Sequence, residues 1–552
     1  MAERRSQTAV DRIAEAWVDT ETRLDLITAT YIGRDAGRTA FADYGPAGRA
    51  EAREAARAAR SELLAAEPAD DVDRVTQADL VATLDDSIAL EEAGWNARDL
   101  NVIESPPQMI RDALDLMPTD GAEDWAAIAA RLASIPASLA GYTETLREGM
   151  AAANVPARHQ VAEVIAQLDR MTADTGFFAT FGSDEALGGA VGADLARGRR
   201  AAREAYTALR EFLASELAPV AGETDGVGRE LYALHSRTFL GARIDLDETY
   251  EWGMEELARM VAEQEAAAGR VLPGATVREA VAHLEASPDH KLHGTEALRH
   301  WMQETSDRAV EELGRAHFDI PDELRTLECL IAPTQEGGVY YTGPTDDFSR
   351  PGRMWWSVPA GVTEFETWRE LTTVYHEGVP GHHLQIGQAV HNRASLNAWR
   401  RLLAGTSGHA EGWALYAERL MDELGYMDDP ANRLGMLDAQ RFRAARVVLD
   451  IGVHLGKPRP GSGGTWDRDY ALEFMRSHVN MPDEEIRFEV NRYLGWPGQA
   501  PSYKVGQRIW EQIRDEARAR EGAEFSLRDF HRRALGLGGV GLDTLRSALS
   551  AG

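Results

Sequence analysis

For most of the first three hundred residues, apolar positions recur three and four apart, the spacing of one face of an α-helix. The stretches AGRAEAREAARAARSELLAA (47–66), DLARGRRAAREAYTALREFLASEL (194–217) and DLDETYEWGMEELARMVAEQEAAAGRVL (245–272) carry this period in strong helix formers. Clusters of Pro, Gly and Asp interrupt it, as in EPADDVD (67–73) and MPTDGAED (117–124). No fixed-period repeat emerges, which argues against a solenoid. Near residue 328 the texture changes to Gly, Pro and aromatic residues, with β-like pieces expected at 339–342 and 354–358. Helical spacing then returns in FETWRELTTVYHEGV (365–379), GHAEGWALYAERLMDELG (408–425), MLDAQRFRAARVVLDIGVHLG (436–456) and PDEEIRFEVNRYLG (482–495). The expectation is a mainly α protein with a small β-sheet. A helical scaffold over 1–327 would be followed by a catalytic portion over 328–552, as one continuous unit around a cleft.

Composition narrows the function classes. The chain has 552 residues and a formal charge of −31, a surface that repels nucleic acid and anionic membranes. Cys329 is the only cysteine, so packing must supply the stability, and its apolar setting LECLIAP suits a buried, inert thiol. The charged, amphipathic start MAERRSQTAVDRIAEAWVDT lacks the apolar core of a secretory signal, and no apolar run approaches a membrane span. A cytoplasmic location is expected. Oligomeric state is not legible.

The chemistry concentrates in VYHEGVPGHHLQ (374–385). His376 and Glu377 open like the H-E-x-x-H zinc motif, but Pro380 stands where the second histidine belongs. On a straight helix His376 and His382 would lie about 120° apart and about 9 Å along the axis, too far to share a metal. Pro380 removes a helical hydrogen bond and Gly381 absorbs the distortion, so a kink or bulge could return His382 to the ligand position. Glu377 would then be the general base acting on water. A third ligand is available as Glu411 in GHAEGWALYAERL, with Glu418 on roughly the same face.

HEGVPGHHLQ together with EGWALYAERL resembles the bacterial family known as domain of unknown function 885, regarded as metallopeptidase-like and related to the gluzincins. More distantly, Glu411 and Glu418 match the paired-glutamate helix of the thimet-oligopeptidase and carboxypeptidase Taq families, where the first glutamate binds zinc. The resemblance implies a gluzincin-like helical body around a cleft, one zinc ion, ligands His376, His382 and Glu411, and Glu418 supporting them. It leaves His383 as the other candidate second ligand, with His382 favoured, because the inserted Pro380-Gly381 departs from those peptidases.

Further residues could support such a centre. Arg446, Asp450 and His454 share one helical stripe. In this reading His454 steadies an oxyanion, Asp450 orients its neighbours and Arg446 touches substrate. Tyr503, in WPGQAPSYKVGQ, is the expected oxyanion donor, with Lys504 beside it as a substrate contact. Arg350 is a candidate reader of a substrate carboxylate, Tyr341 a pocket lining, and SRPGRMWWSV an edge strand for an extended substrate. The expected activity is hydrolysis of amide bonds in short peptides. A non-peptide amide substrate, or a silent peptide-binding scaffold, is the alternative. A di-iron oxidase is disfavoured, since no histidine here has a glutamate three residues before it.

Overall fold

The computed structural model describes residues 5–34, 38–182, 187–334, 338–461 and 463–550. The fold is mainly α. In the N-terminal half α1 (Ala122–Ala151) lies against α2 (Gly189–Phe212). A Cβ at Gly198 would stand 2.8 Å from the Ala129 carbonyl oxygen, so the small residue permits the close approach. Ile128, Leu132, Tyr206 and Leu209 close the core between these two helices. Further along, α3 (Leu246–Val271) and α4 (Thr295–Ala316) belong to a larger core. That core runs from Tyr232 to Leu549 and crosses the 327/328 division drawn from the sequence.

Three strands come next: β1 (Leu327–Ile331), β2 (Val339–Thr342) and β3 (Gly352–Trp356). Their order is β1-β3-β2, with β1 parallel and β2 antiparallel to β3. Met354 stands opposite both Cys329 and Tyr341. Burial raises the Cys329 thiol pKa to about 11, an inert side chain as expected. The strand expected at an edge, from SRPGRMWWSV, is instead the centre of the sheet. Both its edges are paired, so it has no backbone groups free for an extended substrate.

Six helices then build the region of interest. They are α5 (Thr367–Glu377), α6 (His382–His391), α7 (Ser407–Glu423), α8 (Pro430–His454), α9 (Asp483–Gly495) and α10 (Ser502–Glu521). Thr406 caps α7 through the His409 amide, and Asp429 caps α8 ahead of Pro430, the favoured arrangement at a helix start. Glycines bring α7 and α10 into backbone contact. A Cβ on Gly412 would lie 2.4 Å from the Gly506 carbonyl carbon, and one on Gly506 2.3 Å from the Gly408 oxygen. This contact sets Glu411 on α7 beside the first turn of α10, which carries Tyr503. No helix among the described residues is long and apolar enough to cross a membrane.

Candidate metal centre

The helix carrying His376 does not bulge; it stops. α5 ends at Glu377, and α6 starts afresh at His382. The Gly378–Gly381 connection contains a cis Val379–Pro380 bond. Gly381 is required there, because a Cβ would fall 1.9 Å from the His376 carbonyl oxygen. Trp413, fully buried on α7, donates its indole N–H to the Pro380 carbonyl at 2.8 Å. The break is thereby fastened to the helix that supplies Glu411.

The consequence is convergence. Ligand atoms of His376, Glu377 and His382 lie within 4.8 Å of one another, all three residues buried. Glu411 Oε2 is 3.1 Å from His376 Nε2 and 3.6 Å from His382 Nε2. Ligand atoms at about 2.0–2.1 Å from a tetrahedral zinc stand about 3.3 Å apart, so these two separations bracket the edge of such a site. Behind it, His376 Nδ1 is 2.8 Å from Glu418 Oε1, and Glu418 is only 1 % exposed. A carboxylate on the far nitrogen of a histidine fixes its ring and frees the near nitrogen for a metal. Gln440 on α8 donates to Glu418 Oε2 at 3.2 Å and accepts from Lys504 Nζ at 2.6 Å. His382 Nδ1 is buried without a partner, so its ring lacks the corresponding support.

The electrostatics agree with a cation between these groups. Burial disfavours a charge on His376, yet hydrogen bonds to Glu411 and Glu418 and the adjacent Glu377 raise its pKa to about 10. Burial also works against the Glu411 carboxylate, but His382 and His376 hold it well below the usual carboxylate range. Glu377 differs: burial raises its pKa, and His382 and His376 only partly offset that. A carboxylate made more basic beside two imidazoles suits proton transfer better than tight ligation. The donor set, two imidazoles and one carboxylate backed by another, fits zinc.

The other sequence-derived residues separate into two groups. Tyr503 stays with the centre: burial, then the Glu411 charge, raises its hydroxyl pKa, so it remains a proton donor. The Arg446 guanidinium lies 5.0 Å from the centre of its ring. Arg446 itself is held by Glu489 at 3.0 Å and by the Tyr493 hydroxyl.

The remaining candidates are committed elsewhere. His383 contacts the Tyr341 hydroxyl at 3.0 Å through Nδ1 and the Leu324 carbonyl at 2.9 Å through Nε2, so neither nitrogen faces the cluster. Tyr341 is accordingly buried under the sheet rather than lining a pocket. His454 cannot be the oxyanion donor. Burial depresses it to about 4, and the neutral ring directs Nε2 to the Tyr493 carbonyl at 3.0 Å. Asp450 takes the Tyr232 hydroxyl at 2.7 Å and the Gly498 amide at 2.9 Å, tying helices together instead of supporting the cluster. Lys504 is 2 % exposed, and its ammonium donates to Gln440, Gln507 and Glu256, leaving no proton for a substrate. Arg350 donates to the Gly343 and Pro351 carbonyls within its own turn. Gln440, which carries no motif signature, went unseen in the sequence, as did Arg443, Glu489 and Arg492 around Tyr503.

Comparison with known proteins supports the architecture more than the chemistry. A chain described as "the putative lipoprotein from Colwellia psychrerythraea" superposes with a TM-score of 0.85 at 22 % identity, covering 98 % of each chain. A second, "a putative lipoprotein of unknown function from Shewanella oneidensis", gives 0.74 at 17 % identity, covering 98 % of this chain and 99 % of that one. These likenesses establish the fold alone. No curated protein matches. The family model described as bacterial protein of unknown function (DUF885) matches residues 27–549, and the chain belongs to that family.

Proposed function

We propose that this protein is a zinc-dependent hydrolase that cuts amide bonds of short peptides. One observation carries the reading: Glu411 Oε2 stands 3.1 and 3.6 Å from the Nε2 atoms of His376 and His382, with Glu377 in the same cluster. His376, His382 and Glu411 would hold the ion, with Glu418 orienting His376. A bound zinc ion supplies Lewis acidity that polarises a carbonyl and acidifies water. Glu377 takes a proton from the attacking water as its oxygen bonds to the amide carbon. It returns that proton to the leaving nitrogen as the C–N bond breaks. The Tyr503 hydroxyl donates to the oxyanion formed on the carbonyl.

The test has two parts. The purified protein should hold one equivalent of zinc and cleave members of a mixed short-peptide library, while Glu377→Gln should keep the metal and lose the cleavage. Absence of stoichiometric metal, or full activity in Glu377→Gln, would end this reading. Bound metal with wild-type silence across peptides and simple amides would favour a peptide-binding scaffold. The lipoprotein descriptions of the two structural relatives favour an envelope location over the cytoplasmic one expected from sequence; cell fractionation decides.

A further inference from the structure

Near the candidate metal centre three arginines surround Glu489, which pairs directly with two of them. On α8, Arg443 and Arg446 lie three residues apart, and Arg492 reaches in from α9. Glu489 pairs with Arg446 at 3.0 Å and with Arg492 at 3.4 Å, and it also binds the Tyr493 hydroxyl. Arg492 has a further acceptor in Gln499 at 2.7 Å. Arg443 is different. Among the described residues its only direct hydrogen bond is a long one, 3.4 Å, to the Ala439 carbonyl of its own helix, and its Nε is buried with no partner. Among the described residues it makes no ion pair, in a protein with 90 acidic residues against 59 basic ones.

Its position is informative. Gln440, one turn earlier on α8, touches Glu418, and Glu418 touches His376, so Arg443 sits one helical turn from the support of the metal cluster. Its field reaches the reacting groups: it is among the charges that favour the ionised forms of Glu377, Glu418 and Tyr503. A half-buried guanidinium whose neighbouring carboxylates act only at a distance leaves its N–H donors short of direct acceptors. The planar fork matches a carboxylate with two parallel hydrogen bonds, a geometry that a point-charge ammonium does not offer.

We infer that Arg443, with the surplus positive charge of Arg446 and Arg492 behind it, is the recognition point for a carboxylate of the substrate, so that the preferred substrates are peptides carrying a free carboxylate next to the bond cleaved. The inference rests on the hydrolase reading for the cleavage step, but not for binding itself. That carboxylate is supplied by the C-terminus of a peptide or by an acidic side chain. It replaces Arg350 in the role expected from the sequence, since Arg350 is spent on its own turn.

Calorimetric titration of zinc-loaded Glu377→Gln protein, which should bind without cleaving, separates the cases. The probes are a mixed set of tripeptides with free C-termini, the same peptides as C-terminal amides, and amides with Glu as the last residue. Free acids should bind about tenfold more tightly than amides, the size of a charge-assisted hydrogen-bond pair. Arg443→Met should erase that preference, and Arg443→Lys should restore part of it. Glu489→Gln should strengthen it, because one competing negative charge is removed; a merely damaged fold would not move affinity upward. If the Glu-ended amides alone bind tightly, the side chain is the source; if they bind like tightly held free acids, either carboxylate serves. A preference for a carboxylate that survives Arg443→Met belongs to the metal and overturns the proposal, as does equal binding of free acids, amides and Glu-ended amides or no binding of any probe. Arg443-dependent binding without hydrolysis by the wild type would sink the hydrolase reading and leave this one standing.

Discussion

Among the described residues, two buried histidine–carboxylate groups are built from the same residue types and arranged differently. Around His376, the nitrogens and oxygens of four side chains point into one shared volume: Glu411 reaches both imidazoles, and only Glu418 turns away to hold a ring. Around His454, one nitrogen and one Asp450 oxygen bond other parts of the fold, while His454 Nδ1 and Asp450 Oδ1 are buried without a hydrogen-bond partner. Its Nε2 meets the Tyr493 carbonyl, the ring stacks on Tyr232 at 5.5 Å, and Asp450 takes the Tyr232 hydroxyl and the Gly498 amide. The first group raises its histidine's pKa to about 10; the second depresses it to about 4. Burial opposes a charge in both. What differs is direct contact: Glu411 and Glu418 stand within hydrogen-bond reach of His376, whereas the nearest Asp450 oxygen is 3.7 Å from His454 Nε2, which meets a backbone carbonyl at 3.0 Å. Residue type therefore does not mark a candidate metal site; the convergence of several ligand atoms on one volume does.

The largest expected effect separates the two groups outright. Glu377→Gln should lower the hydrolytic rate about 10²–10⁴-fold, the usual worth of a positioned general base, while metal content stays at one equivalent. His376→Ala should abolish metal binding, read by elemental analysis, and with it any thermal stabilisation by added zinc. That stabilisation is about 2.7 kcal/mol in the wild type at a hundredfold excess over Kd. His454→Ala should leave both metal readouts intact. A loss of metal in His454→Ala would merge the two groups and undo the comparison. A smaller change sharpens it: Glu418→Gln should weaken zinc about 10–100-fold, because the carboxylate that orients His376 is gone while its shape remains.

The sequence displayed the candidate ligand residues but not the reason they meet. His376, Glu377 and Glu411 were readable from motif chemistry, and Pro380-Gly381 announced a disturbed helix. A full stop at Glu377 and a new start at His382 depend on Trp413 and on the room that Gly381 leaves for the His376 carbonyl, both contacts across the break. His383 is turned from the cluster by Tyr341 on β2 and the Leu324 backbone, which leaves His382 facing it, and neither partner is visible from the histidines themselves. Stripe reasoning on α8 picked the face of Arg446, Asp450 and His454 and so passed over Arg443, which lies off that stripe. Lys504 reads in sequence as a substrate contact because its actual partners, Gln440 and Glu256, come from distant segments. Helical periodicity, by contrast, is local, and the mainly α architecture follows from it directly.

The smallest predicted effect concerns the second group alone. Free histidine titrates near 6.5, and burial places His454 at about 4, so between those values the unfolded chain binds a proton that the folded one does not. Its contribution to stability is intact above about 6.5 and lost as pH falls toward 4. Asp450 runs the other way. Burial raises it from 3.8 to about 7, against the Tyr232 and Gly498 hydrogen bonds, so its contribution is present at low pH and lost as pH rises through 7. Over pH 4.5–6 the two proton differences oppose one another and largely cancel. Asp450→Asn removes one side of that balance and leaves the His454 side. Its unfolding free energy, from denaturant titrations across this range, should therefore rise with pH more steeply than the wild type's, by about 1.4 kcal/mol per pH unit. The double variant Asp450→Asn, His454→Phe should return to the shallow wild-type slope. An Asp450→Asn slope equal to the wild type's would mean that the pair does not titrate in opposition. Metal content should be unchanged in both variants, because no atom of this group reaches the shared volume around His376.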